Sequence, residues 1–518
     1  MSIPANEILK YISEVRSELD APAQAPAPAG TAGSSANKFT GPYPTRFSPR
    51  SKTIEEIYGE KPTAASVPLT SNVYNTRPSG MNGIFDDIHD AIDAAWNAQK
   101  ELAKVTLERR GEFVEAMRRA ARANAEYLGR LALEETGYGH LEHKTAKNLM
   151  AANKTPGIED LYTIAKTGDY GMMLTEMAPF GVIGAITPST NPTGTIINNA
   201  IGMIAAGNAV VFNPHPGAKG CCIETIKILN RAIVAIGGPD NLMCSAAEPT
   251  TDTSAVIMSS PKIRLLVVTG GEAVVNIAMR SGKRTIGAGP GNPPVLVDET
   301  ADIAKAAKHI IDGIYFENCI LCIAEKEILA VDCIADQLIE ALVREGAYLL
   351  NDRELRAVME KVIIEKDGKY SPNKAFIGKD ASYILAACGI TGGENAKAVI
   401  AETPFEHPLV MTEMLMPVVP VTRVRDVDDG IEKAVIAENN CHHTAIMHST
   451  NVYHMNKMGK AVDTTIFVKN APSYAGLGYD GEGYATLTIA TPTGEGLTSA
   501  KNFTRSRRCT LSDAFRII

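Results

Sequence analysis

The chain has 518 residues, 45% hydrophobic and 21% charged, with a formal net charge of −8 at pH 7. That length suggests two or three globular domains, and the acidic balance argues against nucleic acid or an anionic membrane as the main partner. Nine cysteines, odd in number and scattered, fit a reducing compartment better than a disulfide framework.

Residues 1–20 read as an amphipathic helix. Ile8, Tyr11, Ile12, Val15 and Leu19 recur at helical spacing, charged residues fill the opposite face, and Asn6 stands where a cap is needed. Ala21 to Ala36, rich in Ala, Pro, Gly and Ser, reads as a linker. A tethered helix has little core of its own, so it suits docking to a groove on another protein; folding back onto its own subunit is the alternative. Acids balance the bases on its polar face, which disfavours a membrane surface. The proline-rich stretch Lys38 to Pro78 reads as an arm over the body. The first residues lack the basic and then apolar pattern of a secretory signal. No apolar run is long enough to span a membrane, since Ile196 to Phe212 is broken by Asn198, Asn199 and Asn208.

From Gly83 the periodicity predicts helices over Ala91 to Lys104, Leu107 to Gly129, Leu131 to Thr136 and Lys144 to Asn153. Tyr162 to Met177 reads as an antiparallel excursion turning at Gly168-Asp169. Short buried strands then alternate with helices. Val182 to Thr187, Ala209 to Phe212, Met243 to Cys244 and Leu265 to Val268 form one block; Val295 to Asp298, Glu327 to Val331, Ala396 to Ile400 and Val418 to Val421 form another. This alternation predicts an α/β fold with parallel sheets and helical crossovers. The turns that close the first block are polar or glycine-rich: Thr187 to Pro192, Asn213-Pro214-His215-Pro216 and Thr269-Gly270-Gly271. They fall on the edge where doubly wound sheets bind ligands, and a helix opening after Gly271 would suit a phosphate or nicotinamide group.

Phe316 to Lys326 holds Cys319 and Cys322 on a loop between a helix, Ile303 to Ile314, and a strand. A thiol so placed is a candidate nucleophile. Its CxxC spacing also allows half a zinc site or a redox pair, but no second CxxC and no suitable His pair accompanies it, so no metal is expected. Packed core thiols are the remaining reading.

Together these blocks resemble the aldehyde dehydrogenase superfamily over about residues 80–515. Ala178 to Gly184 is similar to its opening strand, Pro188 to Pro192 to its oxyanion-asparagine loop, Ala206 to Val211 to its second cofactor strand, and Glu413-Met414-Leu415-Met416-Pro417-Val418 to its Glu-x-Phe-Gly-Pro-Val motif. The resemblance implies two doubly wound α/β domains, a Rossmann-like cofactor domain (81–287, with a bridging hairpin at 162–177) and a catalytic domain (288–468), plus a small oligomerisation element in the tail (469–518). It implies Cys322 as nucleophile, in preference to Cys319, and Asn191 as oxyanion donor. Thr187, Pro188, Ser189, Asn213, Pro214, His215, Pro216, Thr269, Gly270, Gly271, Glu413 and Leu415 are implied to line the cofactor site, with Glu413 on the nicotinamide ribose. Cys319 is left between packing and a reversible disulfide with Cys322.

Departures from the family pattern point to one branch. Where hydrolytic members carry a Glu that activates water, the matching stretch is Ala288-Gly289-Pro290-Gly291-Asn292, and Ala288 cannot act as a base. Asn213 replaces a Lys, which implies NAD over NADP. Cys322 to Lys326, His442 to Ser449 and Thr488 to Gly496 are similar to CoA-acylating acetaldehyde and propionaldehyde dehydrogenases of bacterial microcompartments. That resemblance implies NAD and coenzyme A as co-substrates sharing one nucleotide pocket, a short aldehyde (propionaldehyde by preference), a shell protein bound through residues 1–20, a microcompartment lumen as location, and a homo-oligomer, dimer or tetramer. A hydrolytic aldehyde dehydrogenase, a phosphorylating reductase and a non-catalytic cargo scaffold are the alternatives. His442, His443 and His448 are left between packing and acid–base roles.

Overall fold

The computed structural model describes residues 80–513 and Arg516. The expected docking helix, its linker and nearly all of the arm lie outside the described residues. Two parallel sheets organise the rest. The first runs, in spatial order, Ile84–Phe85, Met243–Ala246, Ala209–Pro214, Val182–Thr187, Ile263–Thr269 and Arg284–Ala288. After the edge strand Ile84–Phe85 the chain enters near the middle at Val182–Thr187, builds outward through Ala209–Pro214 and Met243–Ala246, then crosses to Ile263–Thr269. The crevice at that reversal, between the ends marked by Thr187 and Thr269, is where such a sheet takes a ligand.

The second sheet runs Ala347–Leu349, Ala398–Glu402, Val418–Val424, Glu327–Val331, Pro294–Val297, Thr444–His448 and Ile466–Lys469, again parallel. Only residues 289–293 separate the last strand of the first sheet from the first strand of the second. The carboxyl edge of one sheet is thereby linked directly to the amino edge of the other. The inner strands of both sheets are buried along their lengths, as expected of sheets covered on both faces.

A third sheet is antiparallel. Ile164–Gly168 and Gly171–Pro179 form the expected hairpin, and the tail strand Thr504–Ser512 pairs along the whole of its second arm. The Arg505–Arg508 run lies in this tail strand.

Two helical expectations need correction. The helix expected over Leu107 to Gly129 ends at Ala123, and the next runs Ala125–Thr136 instead of from Leu131. Asn124 leaves the helical region (φ −113°, ψ 11°) and its amide nitrogen donates to the Ala120 carbonyl at 2.8 Å, closing the first helix. Short strands over Arg284–Ala288, Thr444–His448 and Ile466–Lys469 were not expected; the first opens on Arg284 and Thr285 and carries Gly287, so it does not read as an apolar run.

Gly171 opens the second hairpin arm at φ +111°, and a Cβ there would lie 2.0 Å from the Leu511 carbonyl oxygen. Gly171→Ala is expected to unzip the end of the tail strand. Hydrogen exchange at the amides of residues 509–512 should speed up by tenfold or more, roughly the loss of one to two kcal/mol of local protection; unchanged exchange would contradict this register.

Candidate active site

Cys322 lies at the amino edge of the second sheet, just before Glu327–Val331. Three other segments reach the same edge from neighbouring strands: Gly291 before Pro294–Val297, His443 before Thr444–His448, and Glu413 before Val418–Val424. The segments touch. A Cβ on Gly291 would sit 2.5 Å from the Cys322 carbonyl oxygen and 2.9 Å from the His443 ring, so only glycine fits. The Gly291 N–H donates to Glu413 Oε1 at 3.2 Å.

The backbone leading to Cys322 is unusual. Glu317, Asn318 and Cys319 all lie in the left-handed region, with φ of 58°, 54° and 60°. For residues with a Cβ this costs roughly 1–2 kcal/mol each. Buried polar contacts impose it. The Glu317 carboxylate accepts from Lys147 Nζ at 2.6 Å, Lys144 Nζ at 3.0 Å and the His140 N–H at 3.2 Å, while the Glu317 N–H donates to His143 Nδ1 at 3.1 Å. Asn318 Nδ2 donates to Asp380 Oδ1 at 2.7 Å and to the Gly378 carbonyl at 3.0 Å. Lys326 Nζ donates to the Cys319 and Leu321 carbonyls at 2.5 and 3.1 Å. Leu415, also left-handed at φ 52°, holds Gly378 through its carbonyl at 2.9 Å.

Asn191 sits at the start of the helix Pro192–Ala205, yet its side chain makes no capping bond. Its Oδ1 accepts from Lys147 Nζ instead. An ammonium has only donors, so the amide oxygen must face Lys147 and the NH₂ must face away. That fixes the rotamer needed of an oxyanion donor.

Burial pushes the Cys322 thiol up to about 12, and the nearby Glu413 carboxylate adds to the rise; Lys326 and the Cys322 and Ile323 amides pull the other way. The resting Cys322 side chain is therefore a thiol at neutral pH. Burial also raises the Glu413 carboxyl and, more strongly, that of Glu327, whose oxygens have no hydrogen-bond partner among the described residues. Burial takes His443 down to about 4 and His448 down to about 3, so both rings are neutral. His442 is exposed, its Nδ1 at 3.1 Å from the Asp463 carbonyl. Cys319 is buried, its Sγ donating to the Glu325 carbonyl at 3.2 Å, and both thiols of the pair are free.

The turns expected to line the cofactor site do gather at the carboxyl edge of the first sheet. Thr187 Oγ1 is buried with no partner among the described residues, open to a ligand. Pro188 and Ser189 follow it. Gly271 caps the helix Glu272–Arg280 without a side-chain bond and with nothing within 4 Å of where a Cβ would point. Its neighbours Thr269 and Gly270 are fixed, the first by the Thr488 hydroxyl at 3.1 Å and the second by the Ala288 carbonyl at 3.2 Å. An unpartnered hydroxyl and an open helix start fit a dinucleotide. Asn213 is different. Its amide donates to Ser254 at 2.7 Å and Thr250 at 3.2 Å and accepts from Thr253 at 2.6 Å, so the side chain braces the helix Thr251–Ser259. Pro214, His215 and Pro216 continue as a turn whose His215 Nδ1 accepts from the Gly217 N–H at 3.0 Å. Among the described residues, Asp298, Glu299 and His454 could group about a metal. They lie past the far end of the Pro294–Val297 strand from Cys322, and Asp298 is already bonded by Ser449 at 2.6 Å and Thr300 at 2.7 Å.

Lys144, Lys147 and Glu317 were not foreseen as site residues. The signal was present: Lys144, Lys147, Asn148 and Ala151 follow the inward-facing i, i+3, i+4, i+7 stripe of their helix, where apolar residues are the rule.

A cysteine at one sheet edge, facing a nucleotide crevice at the edge of another, defines a dinucleotide-dependent enzyme with a covalent step. Its relatives agree. The aldehyde dehydrogenase family profile matches residues 66–478, and the chain belongs to that family. It is 48% identical over 440 residues to the acetylating acetaldehyde dehydrogenase EutE of Salmonella typhimurium, covering 84% of this chain and 94% of that one. The structure is similar, with a TM-score of 0.82 and 48% identity, to the propionaldehyde dehydrogenase of Rhodopseudomonas palustris with bound CoA and an acylated cysteine, covering 84% of this chain and 100% of that one. The same TM-score of 0.82, identity of 48% and coverages relate it to a propionaldehyde dehydrogenase from the fucose utilisation microcompartment of Clostridium phytofermentans.

A thiol held at about 12 ionises about tenfold more with each pH unit well below that value. Iodoacetamide labelling of the half-buried Cys322 in the enzyme alone, read by peptide mass because Cys333 and Cys509 are exposed, should rise about tenfold per unit from pH 7 to 9. A plateau below pH 9 would contradict a high thiol pKa.

Proposed function

We propose that this chain oxidises a short-chain aldehyde to its acyl-CoA, with Cys322 as the acyl carrier. The observation that carries this reading is Ala288, the residue at the family's water-activating position, which ends the Arg284–Ala288 strand beside the nucleophile segments. It offers no base to hydrolyse a thioester.

The Cys322 thiol gives up its proton to solvent, and its sulfur attacks the carbonyl carbon. The Asn191 NH₂ and the Cys322 N–H meet the negative charge that develops on the oxygen, a role typically worth a few kcal/mol per donor. Thr269, Gly270 and Gly271 would hold the nicotinamide, which would supply the acceptor for the hydride that leaves the carbonyl carbon. Cys322 is left carrying a thioester, and with Ala288 in place of a carboxylate it holds the acyl group until the thiol of CoA takes it. Thr187, Pro188 and Ser189 border the crevice, and Pro214, His215 and Pro216 border the place for an adenine, which NAD and CoA would occupy in turn. Glu413 and Leu415 would close the site from the second sheet, with Glu413, already holding the Gly291 N–H, as the residue that would hold the nicotinamide ribose. With Asn213 committed to its own helix and Lys219 paired to Glu248, neither is free to meet a 2′-phosphate, which favours NAD over NADP. Propionaldehyde is the substrate we assign; acetaldehyde differs by one methylene, which pockets separate by only ~1–3 kcal/mol.

Residues 1–20 supply the shell-protein contact, and the enzyme works in a microcompartment lumen. The helical spacing of apolar residues in the sequence there and the Ala/Pro-rich stretch that follows support this, as does the likeness to an enzyme of a fucose utilisation microcompartment. Among the described residues no helix is long and apolar enough to cross a membrane. The hairpin and tail strand, with Tyr162, Ile164, Tyr170 and Leu511 exposed, offer the surface for a homo-oligomer.

Following NADH absorbance with NAD and propionaldehyde tests the reaction. Without CoA a single burst of about one NADH per site is expected, converted by CoA to steady turnover. Steady turnover without CoA would overturn the role given to Ala288. NADP in place of NAD should lower kcat/KM by about tenfold or more, the scale of one missing charged contact; equal use would overturn that preference. Deleting residues 1–20 should leave turnover intact and abolish co-sedimentation with assembled shells.

A further inference from the structure

The Lys147 ammonium touches both halves of the catalytic apparatus. It lies on the helix Leu141–Lys154, buried, and donates to Asn191 Oδ1 and, at 2.6 Å, to Glu317 Oε2. Asn191 belongs to the loop that leaves the first sheet; Glu317 opens the left-handed run that leads to Cys322. Lys144 donates to the same Glu317 oxygen at 3.0 Å. Two ammonium groups against one carboxylate leave this buried cluster one positive charge in excess.

We propose that Lys147 is a positioning residue for the acylation step, acting through Asn191: it turns the amide NH₂ toward the reacting oxygen and ties that orientation to the nucleophile loop. The inference rests on the oxyanion role given to Asn191. Without Lys147 the amide is free to rotate and present its oxygen, which would repel the developing charge. With it, the rotamer is set before substrate arrives, so no reorganisation is needed during the reaction. The ammonium also polarises the amide through its carbonyl oxygen, which strengthens the opposite N–H donors. The groups facing Lys147 are Glu317, Lys144, His143 and Asn191. Burial lowers the Lys147 pKa to about 8, with Glu317 opposing the fall and Lys144 adding to it. A developing oxyanion beside Asn191 supplies the missing negative charge.

The test is a double-mutant cycle read on the first NADH burst, before CoA is added. Lys147→Met and Asn191→Ala are compared singly and together, with thermal unfolding of each. Lys147→Gln, which retains an amide donor, stands in if Lys147→Met does not fold. Either Lys147 variant should slow the burst by ~10-fold or more while Asn191 is present, and by less than ~2-fold in the Asn191→Ala background. Lys147→Gln should be the less impaired of the two where both fold. The Kd for NAD should stay within about twofold, because Lys147 acts on the reacting oxygen and not on the nucleotide. If Asn191→Ala slows the burst but the Lys147 effect multiplies upon it in full, Lys147 does not act through Asn191 and the proposal fails. If Asn191→Ala leaves the burst unchanged, the oxyanion reading itself is at fault.

Discussion

The buried contact among Lys144, Lys147 and Glu317 is the constraint on which the site depends. Burying three charges costs several kcal/mol for each before pairing repays it. Removing Glu317 would leave two ammonium groups facing each other; removing a lysine would leave the carboxylate with fewer donors. The cluster is therefore a poor way to gain stability and a strong way to fix geometry. It holds a backbone run at φ of 58°, 54° and 60° that glycine would adopt cheaply and that Glu317 and Cys319 do not. Even the approach to it is fixed: a Cβ on Gly139 would come within 2.6 Å of Glu317 Oε1.

Around that cluster the two sheets divide the chemistry. The first ends its strands at the crevice and supplies Thr187, Asn191 and the Thr269-Gly270-Gly271 turn. The second begins its strands at the same place and supplies Gly291, Cys322, Glu413 and His443. The few residues between Ala288 and Pro294 tie one edge to the other. The asparagines that interrupt the apolar run of Ile196 to Phe212 serve this closure. Asn198 receives the Leu487 N–H at 3.0 Å and Asn199 receives the Thr488 hydroxyl at 3.1 Å, and Thr488 in turn bonds Thr269. A polar residue in a buried helix is here a fastener for the C-terminal segment.

Much of the fold could be read from the sequence, because buried parallel strands advertise themselves as short apolar runs before polar turns. Val182–Thr187 and Glu327–Val331 were placed to the residue. Arg284–Ala288 was missed, since it starts polar and carries a glycine. The loop bearing Cys322 stands out in the sequence by its thiols, and Asn191 by its motif. What holds them in place does not, because Lys144 and Lys147 meet Glu317 some 170 positions later in the chain, a pairing that no local pattern announces. Asn213 taught the opposite lesson: a residue aligned with a cofactor ligand spends its side chain on its own fold.

The central claim is that Cys322 holds an acyl group that water does not readily remove. The most direct measurement is the mass of the Cys322 peptide after one turnover with propionaldehyde and NAD in the absence of CoA. The account predicts a propanoyl adduct on Cys322 that persists in buffer for minutes and vanishes on addition of CoA with release of propanoyl-CoA. An adduct on Cys319, or one lost to water as fast as it forms, would contradict it.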